Sequence, residues 1–329
     1  MIDHVSINKI IPISPRSFRK NIWDKRTTED GGAYYWCKRN GVTIRYYFQS
    51  QRLIIDGKLI TLLHNTQVQN FDDIYGNLKD EFLDEINGQI NSLFTQPLVD
   101  IRDFLTTRID YCINVETPYV DEYIAFMKRA FQKVDSGGKI DHTQEFDLDG
   151  SVYIKNAAEY KANVRKNYTL NVYNKKDRLE FQERNKIAVE EADFVLAENI
   201  LRVEVQASYE LIRSLRKKFG VDRTFGELFD YQIAFYAVKN VFKRVFLLKP
   251  ECDFYTYQEA KKRMPRGAAG DALRSLATNH NIKGEKYDYA RKIIQKKGVY
   301  PYCLLPAKSP VSCLRNPVKL VQDKIRPYL

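Results

Sequence analysis

The sequence predicts an α+β fold: an antiparallel sheet with helices on one face, followed by a basic, mostly helical C-terminal region. Three observations carry this. Over the first two hundred residues, short segments alternate apolar and polar side chains, the period of half-buried strands. Between and after them, longer segments repeat apolar residues at helical spacing. From residue 211 onward 25 Lys and Arg stand against 10 Asp and Glu, whereas the first 210 residues hold 28 and 32. The expected division is an α+β core over 1–222 and a basic helical region over 223–329.

Taken in order, VTIRYYF, RLIID (52–56) and KLITLL (58–63) read as a strand meander, with Asp56-Gly57 as a hairpin turn. Residues 77–95 read as a helix. TTRIDYCINV (106–115) is a strand. Thr117 then caps a helix with Pro118 at its first position, and Val120, Tyr123, Ile124, Met127, Phe131 and Val134 form its apolar stripe. Ser136-Gly137-Gly138 ends it, and a polar loop over 139–150 leads to the strand SVYIKN (151–156). TLNVYNK (169–175) and ILRVEVQ (200–206) are strands, with a helix near 187–198 between them. Thr224 and Glu227 form a T-x-x-E capping box before a long helix ending near Pro250. Shorter helices are expected around 254–264, 267–279 and 285–297.

Bulk properties bound the setting. The chain has 329 residues, 44% hydrophobic and 29% charged, which is ordinary for a globular protein with a sizeable core. Five scattered cysteines with no CxxC pair indicate neither a zinc site nor a disulfide framework, so a reducing, cytoplasmic setting is expected. No signal-peptide core and no membrane-spanning apolar run are visible. The net charge of +11, concentrated in the last third, points to a polyanionic partner.

Three strands place functional groups in mid-strand, opposite their apolar sides. One carries Arg108, Asp110, Cys112 and Asn114; another Asn171, Tyr173 and Lys175; the third Arg202, Glu204 and Gln206. If they are neighbours, Asp110, Tyr173 and Glu204 converge on one sheet face. Two carboxylates are hard ligands suited to Mg²⁺ or Mn²⁺. A metal polarises a phosphodiester, Lys175 and Lys176 neutralise its oxygens, and a tyrosine oxygen can attack it. The bland alternative makes Arg108–Glu204 and Arg202–Asp110 structural ion pairs and lets Tyr173 merely pack. Tyr153, Tyr160 and Tyr168 are weaker nucleophile candidates.

In order and spacing, R-I-D, the aromatic strand with Y-x-K, and R-V-E resemble the rolling-circle replication initiators. Both the gene II/gene X endonucleases of filamentous phages and the plasmid Rep proteins with related relaxases carry such a set. The stretch YELIRSLRKKFGV (209–221) adds to the phage-type likeness, which covers about 105–222. The resemblance implies a Rep-type nicking core with Tyr173 as nucleophile, Lys175 as its lysine, and Asp110 and Glu204 as ligands of Mg²⁺ or Mn²⁺. It implies nicking and joining of origin DNA through a 5′-phosphotyrosine. Implied partners are single-stranded and flanking duplex DNA, a host helicase or polymerase, and a second copy of the chain. Plasmid relatives often carry further acids where this chain has Asn114 and Gln206. The His-hydrophobe-His motif of other initiators is absent. His142 or Glu145 is a candidate to complete the metal site, with a surface-loop role favoured.

Arg108, Lys176 and Arg202 in the core, and Lys261, Lys262, Arg263, Arg266 and Arg274 beyond it, are the DNA-contacting candidates, the last five on short helices suited to a duplex groove. Two other classes remain open at this point: a non-catalytic DNA-binding repressor, and a metal-dependent nuclease acting through water. A conjugative relaxase would share the nicking chemistry.

Overall fold

A computed structural model describes residues 2–97, 99–134, 142–146, 151–156, 168–246, 252–264, 267, 270–271, 273–274, 285–300 and 304–328. Ten strands form one sheet in the order β2-β3-β4-β5-β1-β6-β10-β9-β8-β7. They are β1 (Ile2–Ile10), β2 (Asp24–Thr27), β3 (Ala33–Arg39), β4 (Val42–Tyr47), β5 (Arg52–Gly57), β6 (Leu105–Glu116), β7 (His142–Phe146), β8 (Val152–Asn156), β9 (Tyr168–Asn174) and β10 (Ile200–Ala207). Every neighbouring pair is antiparallel. The fold is therefore α+β, with the three motif strands β6, β10 and β9 side by side.

From β3 across to β8 one face of the sheet is apolar, and helices cover it. Their chain order begins α1 (Phe71–Ile74), α2 (Lys79–Asn91), α3 (Val120–Val134), α4 (Lys175–Arg184), α5 (Glu191–Leu196), α6 (Tyr209–Phe219), α7 (Phe225–Leu228), α8 (Tyr231–Phe246) and α9 (Tyr257–Arg263). Val42, Ile44 and Tyr46 of β4 share a core with Phe82, Leu83, Ile86 and Ile90 of α2. In α8, Ile233, Ala234, Ala237, Val238, Val241, Phe242 and Val245 form a buried stripe in the same core as Ile109, Tyr111, Val203 and Val205. The buried part of the α3 stripe is Val120, Tyr123, Ile124, Phe126, Met127 and Ala130; the side chains of Phe131 and Val134 lie outside the described residues. Val318, in the helix Pro317–Ile325, joins this core too. Residues after 222 thus supply the main cover of the motif strands, and Tyr111 donates its hydroxyl proton to the Leu228 carbonyl at 3.0 Å. A second, small cluster joins Tyr255, Ala260, Met264, Leu273, Ile294 and Val299.

Several local expectations are corrected. Asp56-Gly57 is not a turn: both residues pair with β1, and the hairpin between β4 and β5 turns over 48–51. Gly57 has φ +149°, and a Cβ there would meet the Val42 Cα at 2.8 Å, so close strand approach rather than chain reversal requires glycine. The Thr224 box makes no side-chain cap bond, and the helix it opens stops after one turn. Asp230 is what starts α8, accepting from the Ile233 N–H at 3.0 Å. Residues 142–146, expected in a loop, form the edge strand β7. The helix expected near 187–198 is only α5, because α4 begins much earlier, at Lys175. Among the described residues, no helix is long and apolar enough to cross a membrane.

Candidate functional site on the polar sheet face

The opposite face of the motif strands holds the expected polar residues. Pairing sets Arg202 opposite Tyr173 and Asn114, Glu204 opposite Asn171 and Cys112, and Gln206 opposite Asp110. Around them lies an open, polar cavity of about 320 Å³. Asp3, His4, Lys58, Arg108, Asp110, Asn171, Tyr173, Lys175, Arg178, Glu204 and Gln206 are in its wall, with Tyr153 and Gln67.

Within the cavity, Tyr173 donates its hydroxyl proton to Glu204 Oε2 at 3.2 Å, and Asn171 Nδ2 donates to Glu204 Oε1 at 3.0 Å. Arg108 grips both oxygens of Asp110, its Nε donating to Oδ1 at 2.9 Å. Neither of the ion pairs considered from sequence forms as drawn: Arg108 pairs with Asp110 along its own strand, and Arg202 pairs with Asp3. Arg202 is wholly buried. Its guanidinium donates to Asn114 Oδ1 (2.9 Å), Asp3 Oδ1 (3.0 Å), the Val68 carbonyl (2.8 Å) and Asn70 Oδ1 (2.7 Å). Expected among the DNA-contacting residues, it instead ties the segment 66–70 and β1 onto the sheet.

Lys175 is not a strand residue. Asn174 caps α4, its Oδ1 accepting from the Lys176 N–H at 3.0 Å, so Lys175 is the first helical residue and is turned inward and buried. The N-K-K-D spelling, a cap residue with an acid three positions on, carried that signal. Lys176 stays half-exposed, 3.9 Å from Glu198.

The electrostatics are those of crowded, desolvated charge. Burial, reinforced by the charge of Glu204, pushes Asp110 up to about 7 even though Arg108 bonds to it. Glu204 is raised as well, by burial and by Asp3. Burial and the Glu204 charge hold the Tyr173 hydroxyl well above the usual phenol range. Burial, with Arg202 and Lys58 close by, drives Lys175 well below the ordinary lysine range.

Asp3, His4 and Lys58 escaped the sequence reading. A β-bulge puts two residues, Asp3 and His4, against the single Asp110 of β6: the register runs Ile2 to Tyr111 and then Val5 to Ile109. Both thereby reach the cavity. His4 Nε2 lies 3.2 Å from Asp56 Oδ1, and Lys58 Nζ lies 3.4 Å from Asp3 Oδ1. No residue pattern announces such a bulge. Asn114 bonds to the Val68 carbonyl and Asp73 and does not reach the cavity wall.

Asp110, Glu204 and Asn171 carry the oxygen donors that a hard divalent ion takes. Asp110 and Glu204 disfavour each other's charge, which a cation would offset. Asn171 Oδ1 is buried beside Glu204 with no hydrogen-bond donor. Mg²⁺ and Mn²⁺ accept few protein ligands and keep water. Among the described residues no three His, Cys, Asp or Glu side chains cluster as a ready-made metal site. The backbone of His142 and Glu145 is in β7, and their side chains lie outside the described residues. So do Tyr160 and Arg266. Tyr168 points into the apolar core. Lys261, Lys262 and Arg263 are exposed on α9, the last two paired with Glu259, and Arg274 is exposed and bonded to Tyr257.

No family model and no curated protein matches the chain. Among solved structures it is similar to a rolling circle replication initiator protein from Geobacillus stearothermophilus, with a TM-score of 0.31 and 10% identity over 66% of this chain and 77% of that one.

Proposed function

We propose that the chain is a DNA-nicking and joining enzyme that starts rolling-circle replication, with Tyr173 as nucleophile. One observation carries the reading: the Tyr173 hydroxyl donates to Glu204 inside an open polar cavity that also holds Asp110 and Lys175. The ordered motifs around these residues support it.

Tyr173 Oη would attack the scissile phosphorus, with its proton passing to Glu204. The bond from phosphorus to the 3′ oxygen breaks, and that oxygen leaves as a 3′-OH, taking back one proton. The 5′ end remains as a phosphotyrosine, so the phosphodiester bond energy is kept for rejoining. Asp110 and Glu204, with Asn171 Oδ1, would hold Mg²⁺ or Mn²⁺, which when bound polarises the phosphate and offsets its developing charge. Lys175 suits a phosphate-facing role: burial, with Arg202 and Lys58 close by, disfavours its ammonium form, and an incoming phosphodiester would favour it. Arg108 would keep Asp110 oriented through its two hydrogen bonds. Exposed Lys261, Lys262, Arg263 and Arg274 would contact phosphates of flanking duplex.

The test is incubation with supercoiled plasmid carrying candidate origins and Mn²⁺, followed by denaturing electrophoresis. The expected product is a nicked circle bearing covalently bound protein at its 5′ end. Nicks without an adduct would make it a nuclease acting through water. Binding without nicks would make it a repressor.

A further inference from the structure

The polar face does not end at the cavity. Directly paired residues of antiparallel strands share a face. One row runs Lys38, Thr43, Asp56, Ser6 and Arg108 from β3 to β6, ending beside Asp110. The next row is Trp36, Arg45, Ile54 and Asn8, and beyond it lie Tyr34, Tyr47 and Arg52. Tyr34, Trp36, Arg45 and Tyr47 are half-exposed, while their strand neighbours Cys37, Ile44 and Tyr46 are buried on the helix side.

This outer part of the face alternates aromatic rings with guanidinium groups. Arg26 lies flat over Trp36, its Cζ 3.9 Å from the ring centroid. Tyr34 and Tyr47 stack with centroids 5.2 Å apart and planes at 19°. Such cross-strand pairs steady the outer strands, and they also leave three large rings and three arginines on the solvent side. Rings offer stacking surface to bases, and arginines pair with phosphates along a strand.

We infer that the open face of β2–β5, centred on Trp36, Tyr47 and Arg45, is a stacking platform for single-stranded DNA, continuous with the Tyr173 cavity through Arg108. From β3 to β6 is roughly 19 Å at ~4.8 Å per strand step, a span that a few nucleotides bridge. DNA as the polymer follows from the proposed function; the platform itself does not depend on cleavage.

The experiment therefore uses the full chain in EDTA, with a labelled oligothymidylate as probe, and reads anisotropy and tryptophan emission. The other tryptophan, Trp23, is buried with its Nε1–H on the Leu93 carbonyl, so quenching reports Trp36. The expected result is quenching on binding, and a loss of affinity of roughly 5- to 150-fold for each of Trp36→Ala and Tyr47→Ala, with unchanged circular dichroism. Arg45→Gln, which removes no packing ring, should flatten the dependence of log affinity on log salt by about one. Wild-type affinity in both ring variants, or equal quenching by duplex, would overturn the platform. An RNA oligomer binding more tightly than the DNA would overturn the partner. Failure of the nicking reading would appear only in the separate adduct assay, with this binding intact.

Discussion

Tyr173 stands opposite Arg202 in the β9–β10 register, yet its hydroxyl reaches diagonally to Glu204, 3.2 Å away. The nucleophile candidate is thus bonded to a metal-ligand candidate, and a buried arginine sits behind both. Chemistry and scaffold can be separated by mutation at these positions.

Replacing Tyr173 with phenylalanine removes one hydroxyl and keeps the ring. We expect the covalent protein–DNA adduct to vanish and nicking to fall at least ~10³-fold. Stability should change by only about 1 kcal/mol, the size of one lost hydrogen bond. Wild-type adduct formation in this variant would move the nucleophile elsewhere.

Asp110→Asn and Glu204→Gln each remove a carboxylate charge from the cavity. Calorimetric titration with Mn²⁺ should show binding weakened by roughly tenfold or more in each, and EDTA should stop wild-type nicking. Cleavage that persists in EDTA would remove the metal from the mechanism.

Arg202→Met should destabilise the fold by roughly 3–5 kcal/mol in denaturant unfolding, because Asp3, Asn114, Asn70 and the Val68 carbonyl each lose a charged hydrogen bond. The folded fraction should bind DNA as the wild type does. Normal stability with weakened DNA binding would restore Arg202 to the contact surface.

Ending the chain after residue 222 removes α8, and with it the cover over Tyr111, Val203 and Val205. We expect no cooperative thermal transition and aggregation of the product. A soluble fragment with a sharp melting curve would show that 1–222 folds independently.

The sequence by itself determined the strands that carry the motifs, their polar and apolar sides, and the α3 stripe, because two-residue and 3.6-residue periods are local and follow from backbone geometry. It also determined that Asp110, Tyr173 and Glu204 would share a face if their strands were neighbours. That adjacency was decided only in three dimensions, since strand order depends on which surfaces bury together. So were the partners of the charged residues: Arg202 reads like a surface cation, but the segment 66–70 closes over it. Lys175 left the strand because Asn174 caps a helix there, a competition between two local structures that alternation does not resolve. Asp3 and His4 reached the site through a bulge, which exists only relative to a partner strand. The outer aromatic rows were visible residue by residue in AYYWCKR and VTIRYY, but their continuity with the cavity is a matter of register, and register is a property of the folded sheet.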